Sequence, residues 1–286
     1  MTSTSPIAIT ARDNPLLVML RRLVRDGAAY RKLGSIWLEG DHLCGALLAR
    51  GRRPAQAIVS ESGWSDRATR ELAQAAPRVV VLSDDLFAAV STLESPARIG
   101  FVLDYVPTAE PQAGVASVVL DRVQDAGNVG SILRSAAAFG VGQVVALKGC
   151  AALWSPKVLR AGMGAHFALR MVEAAGSAAL DSLHVPLVAT DAHEGQALPS
   201  ARLPAPCAWL FGHEGQGLDA SLIARCALTV RVPQPGGQDS LNVAAAAAVC
   251  LYESVRRGHK ETPGRSQVPL TPLGAGLGKP SPGGAQ

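Results

Sequence analysis

Three short stretches of the chain carry side chains that a loop does not need merely to turn. The first reads Asp121-Arg-Val-Gln-Asp-Ala-Gly-Asn128-Val-Gly130-Ser-Ile-Leu-Arg134 and leads from an apolar run into a helix. Asn128 suits the start of that helix, which leaves Arg134 about a turn and a half inside it. A guanidinium so near free helix N–H groups can grip a phosphate through two parallel hydrogen bonds. The alternative is an ordinary surface arginine beside an acid. The second stretch, Gly212-His-Glu214-Gly-Gln-Gly217-Leu218, sets one carboxylate among three glycines that let backbone approach a ligand closely. It is neither a Walker loop nor a G-x-G-x-x-G fingerprint, because both spacings are missing. The third runs from Pro233 through Ser240-Leu241-Asn242 into an alanine-rich helix. Ser240 suits its N-cap, and Asn242 in the first turn is unfavourable by propensity unless its amide does something else. His193-Glu194-Gly195-Gln196 echoes the second stretch, but no H-E-x-x-H helix or ligand cluster stands beside either copy, so the repeat is ascribed to chance and no metal is expected.

Loops of this kind act where strands deliver them, beyond the carboxyl ends of an α/β sheet. Apolar runs at Val118 to Leu120, Gln143 to Leu147, Phe167 to Val172, Pro186 to Ala189, Ala208 to Phe211 and Ala227 to Val232 alternate with helical segments, and a long helix from Leu241 to Arg257 follows. That alternation predicts a mostly parallel sheet with crossovers. Earlier, helices alternate with runs at Ser35 to Leu38, Ala57 to Val59, Val79 to Leu82 and Ile99 to Leu103, a small α/β sandwich. The expected division is residues 1–104, a linker at 105–114 containing Pro107 and Pro111, a second domain at 115–260, and a disordered Gly-, Pro- and Ser-rich tail at 261–286.

Composition narrows the partners. The 286 residues are 48% hydrophobic, which supports a sizeable core and excludes a disordered chain. The formal net charge of +4 permits a nucleic acid without requiring one. Through residue 53, nine Lys or Arg stand against four Asp or Glu, a segment suited either to phosphates or simply to water. Aromatics are only 4%, so recognition built mainly on stacked bases is not expected. Five scattered cysteines suggest reduced thiols, and no apolar run approaches the roughly 18 residues of a membrane span. The expected location is the cytoplasm.

Taken together, Asn128-x-Gly130-x-x-x-Arg134, Gly212-x-Glu214-x-x-Gly217-Leu218 and Ser240-Leu241-Asn242-Val243-Ala244 resemble the three motifs of the SpoU, or TrmH-like, family of RNA ribose 2′-O-methyltransferases. Arg12-Asp-Asn-Pro15 and Leu38-Glu39-Gly40 are similar to the substrate-binding domain that precedes the catalytic domain in many members. Two departures, Ala126 where members often carry Pro and Ala244 where they often carry Ser, bear on subgroup placement. The resemblance implies a small L30e-like α/β domain followed by an α/β methyltransferase domain with a deep trefoil knot, working as a homodimer. It implies S-adenosylmethionine as cofactor, held by backbone around Leu210, Gly212, Gly217, Val232 and Leu241. It implies Asn128, Arg134, Glu214, Ser240 and Asn242 as active-site residues, Arg134 either assisting deprotonation of the ribose 2′-hydroxyl or binding the adjacent phosphate, with ribosomal RNA as substrate and transfer RNA as the near alternative. A silent RNA-binding scaffold and a small-molecule enzyme are the competing classes.

Overall fold

The computed structural model describes residues 6–258 apart from 109, 238 and 239. The expected tail at 261–286 lies outside the described residues. Twelve described strands form two sheets. The first contains β1 (Ile7–Ile9), β2 (Ser35–Glu39), β3 (Gln56–Ser60), β4 (Val79–Leu82) and β5 (Ile99–Asp104), in the order β1-β4-β3-β5-β2. β5 runs antiparallel to both of its neighbours, and the remaining pairs are parallel. β1 is absent from the sequence expectation because three residues on a sheet edge are too short to show a period.

The second sheet contains β6 (Ser117–Leu120), β7 (Gln143–Leu147), β8 (Arg170–Ala175), β9 (Leu187–Thr190), β10 (Gln196–Ala197), β11 (Ala208–Phe211) and β12 (Leu228–Arg231). Their order is β10-β12-β9-β11-β6-β7-β8, and every pairing is parallel. Both faces are covered, so β6, β7 and β11 are buried along their whole length, and their sequences are apolar apart from the opening Ser117 and Gln143, which bond each other at 2.9 Å. Side chains still alternate. Val118, Leu120, Val144, Trp209 and Phe211 join one core cluster, while Val119, Val145 and Leu210 join another on the opposite face. The expected strand at Phe167 to Val172 begins later, at Arg170. Met163 and Gly164 both take positive φ, which ends the helix Pro156–Gly162, and a 3₁₀ turn at Ala165–Ala168 uses the residues before the strand.

The first core cluster runs without interruption from the N-terminal sheet into the second. A polar clamp joins them as well. The Glu173 carboxylate on β8, whose side chain is 6% exposed, accepts from Tyr30 Oη, from Arg31 Nη2 at 2.9 Å, from Tyr105 Oη at 2.9 Å and from Leu153 N at 2.9 Å. Burial, then the neighbouring carboxylate, pushes the Tyr105 hydroxyl up to about 12. All five cysteines are unpaired. Among the described residues no helix is long and apolar enough to cross a membrane.

Candidate active site

Strand order reverses at the junction of β6 and β11. From β6 the chain builds outward through β7 and β8, then crosses back to lay β9 and β11 on the other side. Two loops therefore leave adjacent carboxyl ends, and Asp121 N donates to Phe211 O at 2.9 Å where they part. Asp121, 4% exposed, ties them together. Its carboxylate accepts from Arg122 Nε at 3.0 Å and Nη2 at 2.8 Å, and from Asp219 N at 2.9 Å. Arg122, at a positive φ of 55°, also donates to Gln216 Oε1 at 3.0 Å. Such a backbone conformation is uncommon for a non-glycine residue and is held here by the ion pair.

The loop after β11 is a tight hairpin. His213 N and Gly217 O are 3.0 Å apart, Gly217 N and His213 O 2.8 Å, and the His213 ring accepts at Nδ1 from Gly215 N and Gln216 N. Gly212 has to be glycine, since a Cβ there would lie 2.3 Å from the Gly217 carbonyl carbon. The turn projects Glu214 toward the helix Ala126–Ala138. Its Oε1 accepts from Asp125 N at 3.1 Å and from Asn128 Nδ2 at 3.1 Å, and its Oε2 from Gln124 N at 3.3 Å. Desolvation raises the Glu214 pKa, but the Asn128 side chain and backbone N–H groups outweigh it and hold the carboxyl below the ordinary range.

The N-cap of this helix is Asp125, whose Oδ1 takes Asn128 N at 2.7 Å. Asn128 is the third helical residue rather than the cap, so its amide is free for long-range contacts. It accepts at Oδ1 from Asn242 Nδ2 at 2.9 Å. Asn242 in turn accepts at Oδ1 from Ala244 N at 2.9 Å and Ala245 N at 3.2 Å. The last helix therefore begins at Val243, and Asn242 does the capping that sequence assigned to Ser240. The resulting chain of bonds has one polarity. Backbone N–H groups, which can only donate, fix Asn242; an ionised carboxylate, which can only accept, fixes Asn128. Neither amide can turn over without facing donor to donor or acceptor to acceptor.

Beyond the ends of β9, β11 and β12 lies a cavity of about 510 Å³. Of the expected residues, Gly212, Glu214, Gly217, Val232, Ser240, Leu241 and Asn242 line it. Asn128 stands behind, bonded to two of them. Leu210 does not line the cavity; it is buried in β11, where its carbonyl takes the hydroxyl of the lining residue Thr190 at 2.8 Å. Arg134 does not line the cavity. It is exposed, and its side chain makes no hydrogen bond or ion pair with any described residue. Asp191 and His193, from the loop after β9, line the cavity and were not expected to. Asp191 Oδ1 accepts from His193 N at 2.8 Å and Glu194 N at 2.9 Å, a side-chain-closed turn of the kind Asp favours. No cluster of His, Cys, Asp and Glu able to hold a metal occurs among the described residues.

A parallel sheet with a ligand-sized cavity beyond the carboxyl ends of its strands is the arrangement of the open α/β proteins. The chain belongs to the SpoU rRNA Methylase family, which matches residues 116–252. It is 33% identical over 264 residues to a tRNA/rRNA methyltransferase of Synechocystis described as uncharacterized, covering 89% of this chain and 96% of that one. It is 30% identical over 224 residues to the 23S rRNA (guanosine(2553)-2′-O)-methyltransferase RlmP of Bacillus subtilis, covering 77% and 88%. The crystal structure of an AdoMet-bound rRNA methyltransferase from Sinorhizobium meliloti aligns with a TM-score of 0.76 at 25% identity, over 88% of this chain and 97% of that chain.

Proposed function

We propose that this protein transfers a methyl group from S-adenosylmethionine to a ribose 2′-hydroxyl of ribosomal RNA. The observation that carries the reading is the meeting of Asn128, Glu214 and Asn242 in one hydrogen-bonded unit at the wall of the cavity. These residues lie 114 positions apart at the extremes. The relatives named as 23S rRNA 2′-O-methyltransferases support the reaction and substrate class. Transfer RNA is the second reading, supported by the Synechocystis relative's name.

The cavity fits the cofactor on its own terms. Its volume lies within the range of about 300–1,000 Å³ usual for small-molecule sites. Val230, Val232 and Leu241 give one apolar side, and Asp191 and Glu214 supply the negative charge that a sulfonium and an ammonium call for. Backbone around Leu210, Gly212, Gly217, Val232 and Leu241 would hold it. When bound, S-adenosylmethionine supplies the electrophilic methyl group. Glu214, depressed and bonded to three donors, is no general base; it locks the β11 loop onto the helix start. Asn128 and Asn242 present fixed amides, and the Ser240 hydroxyl lines the cavity where it can meet the sugar.

Arg134 completes the site from a second copy. Six residues beyond Asn128 on one helix, it leaves about 120° around the axis and about 9 Å along it, away from Glu214. The pair of helices that carries it also exposes Val249 (42%) and Tyr252 (54%), the latter packed edge-on against Phe139. A homodimer that buries this face brings each Arg134 to the partner copy's cavity, where it clamps the phosphate beside the reacting ribose. The insertion of β11 between two earlier strands, followed by the return of Val243–Gly258 onto Ala126–Ala138, supports a trefoil knot within residues 115–260. Residues 1–104 form the L30e-like RNA-binding domain of this reading, and the cytoplasm is the compartment in which it operates. The test is incubation with methyl-labelled S-adenosylmethionine and separated ribosomal and transfer RNA. Label in 2′-O-methyl nucleosides of ribosomal RNA supports the reading, and label absent or confined to bases ends it.

A further inference from the structure

Away from that cavity lies a second one of about 200 Å³, between the N-terminal sheet and the helix Pro156–Gly162. We propose that it holds one unstacked nucleobase of the RNA substrate, an inference that rests on the function given above. The space is below the size of sites for whole cofactors, at about 300 Å³ and upward, and would take roughly seven waters at about 30 Å³ each. A single flat heterocycle suits it.

Its floor is Trp37 of β2, 2% exposed and lying over Gly100 of β5, where a Cβ would approach the indole to 2.1 Å. The indole Nε1 is buried without a hydrogen-bond partner, a donor left at a cost that a structural core avoids. Leu93 stands on one side, Leu159 and Met163 on the other. Met163, in a left-handed backbone conformation, is 42% exposed at the mouth. Glu39 is not a free charge there, because its carboxylate takes Ser91 Oγ, Thr92 N at 2.9 Å and Thr92 Oγ1 at 2.8 Å, and so fixes the loop bearing Leu93. Asp41 spends one oxygen on His42 N at 2.9 Å and keeps the other to accept from a base amino group.

Charge at the rim favours RNA over an apolar protein side chain. Arg160 is exposed and spends only Nη1 on a long 3.4 Å contact to Thr92 O; Lys157, one turn earlier, is exposed and has no ion pair among the described residues. Arg160 lines the slot, with Lys157 exposed on the same helix outside the lining, and a guanidinium there suits a phosphodiester entering with its base turned inward. The slot also adjoins the catalytic helix. At Gly130, two residues past Asn128, a Cβ would come within 2.4 Å of Ala161 Cβ, so the helix forming the slot wall bears directly on the helix that carries Asn128.

The test uses the full-length protein labelled with 5-fluorotryptophan, the Trp37 signal being assigned by its loss in Trp37→Phe. AMP, GMP, CMP and UMP are titrated to about 10 mM, within reach of millimolar binding. Expected is a shift of the Trp37 resonance with at least one nucleotide, absent with ribose 5-phosphate. Leu93→Phe, which fills the slot, should abolish it, and Arg160→Ala, a surface change that spares folding, should weaken it several-fold. Leu93→Phe should also raise KM for ribosomal RNA about tenfold with kcat little changed, the effect of about 1.4 kcal/mol lost when one base is shut out of the slot. No Trp37 shift with any nucleotide, an equal shift with ribose 5-phosphate, or an unchanged shift in Leu93→Phe overturns the proposal. Wild-type methylation is measured in parallel, so failure of the slot and failure of the reaction are seen separately.

Discussion

Substituting Asn242 by Ala and by Asp separates its two jobs. Ala removes the acceptor for Ala244 N and Ala245 N, a lost N-cap of about 1 kcal/mol, and the bond to Asn128, about 0.5–1 kcal/mol at an exposed position. The sum, about 1.5–2 kcal/mol, corresponds to a Tm lower by about 3–8 °C for a chain of this size. Asp caps a helix as well as Asn and places negative charge at a helix N-terminus, so its Tm should stay within about 2 °C of wild type. But Asp can no longer donate. Asn128 must turn its amide over to meet the new carboxylate, and its carbonyl oxygen then faces Glu214 in place of the 3.1 Å bond. The β11 loop keeps only the bonds from Asp125 N and Gln124 N and loses its side-chain tie to the helix, and kcat/KM should fall about 10²-fold, the scale of an ångström-level misplacement. Thermal melts and methylation assays on both variants check this. An Asn242→Asp enzyme within twofold of wild type would refute the oriented-amide reasoning, and one that melts as early as Asn242→Ala would refute the capping assignment.

Mixing inactive Arg134→Ala and Glu214→Ala subunits under exchange should restore about a quarter of wild-type activity, since half the dimers are mixed and each has one intact site; no recovery places Arg134 in its own subunit's cavity. Glu214 titrates below the ordinary carboxylate range, so the stability it contributes is complete above that range and is lost as pH falls through the depressed value. The Tm gap between wild type and Glu214→Gln should therefore be larger at pH 7 than at pH 3, and a pH-independent gap contradicts the assignment. Glu173→Gln should cost about 2 kcal/mol in urea unfolding, from weakening charge-assisted bonds to four donors around a buried carboxylate, and a loss below about 0.5 kcal/mol would show the clamp to be idle.

Much of this was legible beforehand because parallel strands buried on both faces announce themselves as unbroken apolar runs. β7 and β11 match their runs residue for residue. The first two loops of chemistry were legible for the same reason, since each follows such a run; the third follows β12, whose Thr229 and Arg231 interrupt the apolar pattern, and was marked by its own Pro, Gly, Ser and Asn residues. What escaped was set by pairing rather than by local pattern. β1 and β10 are too short to carry a period, and their partners lie far along the chain. The caps were displaced by three residues at one helix and two at the other, since Asp125 and Asn242 compete with Asn128 and Ser240 as equally good capping types. Asp191 and His193 join the cavity only because β9 lies between β11 and β12, an order no single stretch of sequence encodes. Their short Asp-led turn after an apolar run was the available signal.

The placement of β11 has a further consequence for biosynthesis. The edge of β6 that it pairs with stays open until residues 208–211 have emerged, roughly ninety residues after β6 itself. At roughly 5–20 residues per second on the ribosome, that edge waits for roughly 5–20 s. During that interval a largely apolar strand offers its hydrogen-bonding groups to any passing chain, so the nascent protein needs cover by a chaperone, or by its own early core, before the middle of the sheet can close.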